Sequence, residues 1–191
     1  MDNVKASDGA SVGHKNGVTD HGGAFKKIWR VARYKNAADK AAGVVYSLEE
    51  AMRLFSAPQF STFEKNVLLN EGINEILTPA ICGSTITALD NANAHLGVGE
   101  SDAAESATHT GLQGTSKTYM PMASGYPTFG TGQEAEWQAE FGADDANYDW
   151  REFTVANGDS DAADNFNRKV SNEGTKVSGQ TWTLTLTISF S

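Results

Sequence analysis

Cysteine is almost missing from this chain of 191 residues: Cys82 stands alone. A single thiol excludes an intrachain disulfide and a cysteine-rich zinc site, and it fits assembly in a reducing cytoplasm. Long apolar runs are missing too. No stretch approaches the roughly 18 apolar residues of a membrane-spanning helix. The first residues also lack the charged-then-apolar layout of a secretory signal. The expectation is a soluble, unexported chain with no membrane partner. Histidine is scarce, and His14, His21, His95 and His109 include no pair at a metal-ligand spacing such as HExxH. Positive charge is scarce where most of the chain lies. Residues 71–191 hold 5 Lys/Arg against 17 Asp/Glu, whereas residues 1–70 hold 10 against 7. Binding to nucleic acid needs clustered cations that displace counterions from phosphates, so the acidic body has no nucleic-acid partner.

The remaining chemistry-bearing patterns are thin. Gly97-Val98-Gly99 lacks the third glycine and the βαβ setting of a dinucleotide fingerprint and reads as a turn. Asp159, Asp161 and Asp164 could cage calcium, but an EF-hand loop needs Gly at its sixth position and Glu at its twelfth. Those places hold Asp164 and Ser171. Asp144, Asp145 and Asp149 read as solvated turn carboxylates, and Glu134 with Glu136 as the wet face of a strand. Cys82 has no local signature of a nucleophile and reads as a core thiol. The expectation is no cofactor, no metal, no catalytic residue and no enzyme activity.

What is present is organised in three parts. Residues 1–24 are rich in Gly, Asp, Ser and His and carry little apolar bulk beyond Val4, Val12 and Val18. Ordering them costs about 1–2 kcal/mol per residue, and such a stretch cannot recover that from its own burial. It is expected to take its order from a neighbouring molecule. Next comes FKKIWRVARY, in which Phe25, Lys26, Lys27, Ile28, Trp29, Arg30, Arg33 and Tyr34 mix cations with aromatic and aliphatic groups. These eight are the candidate partner-binding residues, anchoring an extended N-terminal arm over residues 1–46. The alternative is a short strand or helix docked on the chain's own domain.

Residues 47–191 form the predicted domain. Ser47 with Glu50 makes a capping box, and Leu48, Ala51, Met52 and Phe55 keep helical spacing, so a short helix runs to about Ser56. Ser61 with Glu64 repeats the box and predicts a second helix that stops before Pro79, with Gly72 weakening its middle. Leading helices therefore occupy 47–78. Beyond Pro79 the pattern alternates: Ala94–Val98, Thr118–Met122, Glu134–Phe141, Trp150–Ala156 and Phe166–Ser171 read as strands separated by polar turns. Many short strands predict a mainly β fold, a β-sandwich or jelly roll. The closing run QTWTLTLTISFS sets Trp182, Leu184, Leu186, Ile188 and Phe190 on one face. Together they contribute roughly 7–15 kcal/mol if fully buried. Its uncharged edges predict a strand paired on both sides.

Five phrases, in order, carry a resemblance: NVLLNEGINEIL (66–77), NANAHLGVGES (91–101), SGYPT (124–128), ANYDWREFTV (146–155) and NRKVSNEGTKVSGQTWTLTLTIS (167–189). The chain from Asn66 to Ser191 resembles a family of small β-rich virion proteins of tailed bacteriophages. The resemblance implies a place in a particle rather than a reaction. It points to a capsid decoration, or cement, protein that binds the major capsid protein or other virion subunits through its arm. Such a protein would be a homo-oligomer, a trimer first, in the virion after assembly in the host bacterial cytoplasm. A neck, baseplate or tail-fibre adaptor or receptor-binding protein is the alternative. A carbohydrate-binding sandwich is a third reading, with Trp137, Tyr148 and Trp150 stacking on sugars, although their strand spacing favours core positions.

Overall fold

The central strand is the closing run of the sequence. In a computed structural model, which describes residues 26–130 and 132–190, β10 (Thr181–Ser189) lies in the middle of a five-stranded antiparallel sheet. The order of that sheet is β2 (Phe60–Glu64), β1 (Lys26–Tyr34), β10, β7 (Glu134–Phe141) and β6 (Thr128–Phe129). A second five-stranded sheet packs against it, in the order β3 (Val67–Leu68), β9 (Asn167–Val170), β8 (Glu152–Ala156), β4 (His95–Gly99) and β5 (Lys117–Pro121). The fold is a β-sandwich, and two of its four edges are strands of only two residues, which leaves little open ladder.

Alternation explains the core. Trp182, Leu184, Leu186 and Ile188 face inward from β10 and are essentially inaccessible. Register sets Leu186 opposite Trp29 on β1 and opposite Trp137 on β7. From the other sheet come Leu96, Val98, Phe153 and Val155, so side chains of both inner faces fill one layer. Its centre is aromatic. Trp150 meets Phe141 at 4.7 Å and Trp182 at 4.8 Å between ring centroids, both edge-to-face, the arrangement that sets a ring's positive edge on its neighbour's negative face. The threonines of β10 are buried too, as expected for the middle strand of the sheet.

Three short helices join the strands: α1 (Ala37–Ala41), α2 (Leu48–Phe55) and α3 (Asn70–Leu77). The α2 cap forms as its sequence predicts, with the Ser47 hydroxyl accepting from Glu50 N at 3.1 Å, and Phe55 enters the core.

The structure departs from the sequence reading in five places. Gly97-Val98-Gly99 is not a turn but part of β4, paired with β5 on one side and β8 on the other. Residues 26–34 are not part of an arm: β1 is paired along its length, with β10 on one side and β2 on the other. The second capping box does not form. Ser61 and Glu64 lie in β2, where Phe63 faces inward and stacks on Trp29 at 6.2 Å, and Ser61 reaches buried ions. Only the end of that segment is helical, and it runs on from Leu77 into a π-helical turn, Thr78–Cys82, that contains Pro79. Cys82 is exposed rather than a core thiol, because that turn buries none of its residues. Phe190, beyond the last pair of β10, is about half exposed rather than buried with the residues before it.

Candidate interaction surfaces

The eight residues expected to bind a partner do not share one surface, because a strand sends successive side chains to opposite faces. Trp29 is fully buried between the sheets. Arg33 is also fully buried, donating to Glu173 Oε2 at 2.8 Å, Glu173 O at 2.7 Å, Ser61 Oγ at 2.9 Å and Pro58 O at 3.0 Å, with its guanidinium 4.8 Å from the Trp182 ring. Neither has surface to offer a partner. Lys27 faces the same way and donates to Asn66 O at 3.3 Å, and burial lowers its pKa. Lys26 is exposed beside Glu64 at 3.4 Å. Ile28, Arg30 and Tyr34 occupy the outer face; Arg30 donates to Thr187 Oγ1 at 3.0 Å, and Tyr34 meets Phe60 edge-on at 6.3 Å. Phe25 lies outside the described residues, as do His14, His21 and the rest of residues 1–25.

Buried ions elsewhere brace loops. Glu152 and Arg168 pair at 2.8 Å with both side chains fully inaccessible. The Glu152 carboxylate also accepts from the backbone N–H groups of Gln113 at 2.9 Å and Gly114 at 2.7 Å. Arg168 donates to Ala103 O at 2.9 Å. The long segment between β4 and β5 is thus tied to the second sheet by one ion pair, which satisfies backbone groups that no ladder reaches. Lys176 is similarly enclosed, donating to Gly142 O at 2.6 Å and Asn147 Oδ1 at 2.9 Å. Burial lowers its pKa to about 8 against partial compensation by Asp145 and Asp144. Asp161 pairs with Lys117 and accepts from the Tyr119 hydroxyl, whose pKa burial and this carboxylate raise. Among the described residues no group of three or more His, Cys, Asp or Glu side chains is placed to hold a metal ion.

The aromatic residues weighed for stacking on sugars are engaged elsewhere. Trp150 is fully buried and donates to Ala146 O at 3.0 Å; Trp137 lies in the core and donates to Leu89 O at 3.0 Å. The Tyr148 hydroxyl bonds Val98 O and Thr118 Oγ1, both at 3.0 Å.

Two concavities among the described residues bear on binding. The larger, about 450 Å³, opens at one end of the sandwich between α3, β7 and the end of β10, and is lined by Ile76, Leu89, Phe129, Trp137, Ile188 and Phe190 among others. Phe129 is 84% exposed, and the neighbouring helical segment adds exposed Ile76, Leu77 and Ile81. The smaller, about 330 Å³, lies on the outer face of the first sheet, over Ala32, Thr183 and Thr185, with Arg30, Tyr34, Lys40, Phe60 and Gln138 around it. Sequence reasoning missed both. Phe129 sits in a glycine-rich turn and a two-residue strand too short to show a period, and the groove collects residues far apart in the chain. The chain matches no protein-family model, no curated protein and no solved structure in the comparisons made.

Proposed function

We propose that this chain is a structural protein of a bacteriophage virion, a capsid decoration protein that stabilises the shell by burying its apolar end and its N-terminal segment against the major capsid protein. One observation carries the proposal. The first described pair of β1 sets Lys26 opposite Ser189, and the next residue, Phe190, lines the apolar groove. Lys26, the first described residue, therefore stands beside that groove, and one capsid subunit that covers the groove would also be within reach of the segment before Lys26. Apolar surface of this kind on a folded domain marks an interaction site. Burying a side chain as large as Phe129 contributes about 1.5–3 kcal/mol, a gain multiplied over every copy on a particle. The resemblance of residues 66–191 to phage virion proteins supports the same reading.

The test uses particles reconstituted with added protein. Deleting residues 1–25, or replacing Phe129 and Phe190 with serine, is expected to lower occupancy on the shell several-fold while the isolated domain keeps its melting temperature. The deletion stops before Lys26, because removing β1 would expose the flank of β10. Wild-type occupancy by all of these variants would refute the contact. Saturation at a few sites on the neck or tail, instead of many on the shell, would replace decoration by the adaptor role.

A further inference from the structure

We propose that the outer face of the first sheet binds a neutral hexopyranose unit of a polysaccharide, at a site separate from the apolar groove. The register creates the site. One row across the sheet aligns Phe60, Ala32, Thr183 and Glu140, and the next aligns Thr62, Arg30, Thr185 and Gln138. In the first row two short side chains lie between two long ones, which leaves a depression floored by Ala32 and Thr183. Its far wall is α1, whose Lys40 pairs with Glu140. The resulting volume, about 330 Å³, falls at the lower end of the roughly 300–1,000 Å³ typical of small-molecule sites.

The chemistry selects the ligand class. Phe60 is 53% exposed at the rim and held edge-on by Tyr34. An exposed aromatic ring beside polar side chains of the neighbouring row suits the C–H face of a sugar ring, which is apolar on its flat side and polar at its edge. Thr62, Thr185, Gln138 and Arg30 line the depression as well; Gln138 Nε2 donates to Thr185 Oγ1 at 3.2 Å and Arg30 to Thr187 Oγ1 at 3.0 Å, and the remaining donor and acceptor capacity of these side chains matches vicinal hydroxyls. Both cations at the site already have carboxylates, Lys40 with Glu140 and Arg30 with Glu136 at 3.7 Å. A phosphate or acidic sugar would have to displace these carboxylates; a neutral ring would not.

The experiment titrates the full chain with malto-, cello-, manno- and galacto-oligosaccharides while following backbone amide resonances. At least one series is expected to shift Ala32, Phe60, Gln138 and Thr183 saturably. Phe60→Ala is expected to weaken that binding at least tenfold, and Gln138→Ala several-fold, with both variants keeping the wild-type melting temperature. Three results would overturn the proposal: no shift at these amides with any neutral series, binding indifferent to both substitutions, or binding confined to an acidic oligosaccharide or inorganic phosphate.

Discussion

Arg168 and Glu152 lie where no water reaches, and their partners are mostly backbone groups of a loop. Removing one member of a buried pair leaves the other charge unpaired, which costs about 3–5 kcal/mol. Arg168→Ala is therefore expected to lower the free energy of urea unfolding by that amount. Glu152→Gln combined with Arg168→Met should cost less than the two single changes summed, because neither charge is then left stranded. Lys176 gives a pH signature. Unfolded, it keeps its proton to the ordinary lysine value of 10.5; folded, burial brings release down to about 8. Between those values the unfolded chain binds more protons, so stability rises with pH. Chemical denaturation at steps from pH 8 to 10 is expected to show a positive slope that Lys176→Met reduces. Above that range the raised pKa values of the half-buried Tyr119 and Tyr148 act in the opposite sense.

Among the elements, those legible in the sequence are the ones whose faces differ cleanly. β7 and β10 alternate without interruption, and α2 announces itself by its cap. β1 hides its period because its inward row, Lys27, Trp29, Val31 and Arg33, contains two cations, and its outward row contains Ile28 and Tyr34. Each inward cation is received by groups distant in the chain: Arg33 by Glu173, 140 positions away, and Lys27 by Asn66 O, 39 positions away. The same long-range ion cluster claims Ser61, so a capping-box pattern there became part of a strand. Gly72 shows the reverse case, a helix-weakening residue kept for packing. A Cβ at this position would overlap the backbone of Phe166. Gly72→Ala improves helix propensity by about 1 kcal/mol, yet overpacking of this kind costs typically about 1–3 kcal/mol, and against rigid backbone the upper end applies. The variant is expected to melt below wild type; an unchanged or higher melting temperature would mean that α3 does not press on Phe166, just ahead of β9.

The whole molecule combines a well-braced sandwich with surfaces left open at definite places. The buried ions described above are each engaged in holding a loop, and Phe129, Phe190 and the α3 turn form one exposed apolar end, while exposed Val45, Leu48, Met52, Phe60 and Val177 lie outside that groove. Neither of the two concavities was visible in the sequence, since each is assembled by register between distant strands. The uneven charge, a mildly basic first third followed by a strongly acidic body, fits a chain whose N-terminal segment and body meet different surroundings.

The most direct measurement is a cryo-electron microscopy reconstruction of phage particles purified from host cells that produce the protein. The account expects density for the sandwich repeated over the outer shell, with Phe129 and Phe190 turned into a capsid subunit and residues 1–25 continuing along it. Particles that lack the chain, or that hold it with the apolar end facing solvent, would contradict the account.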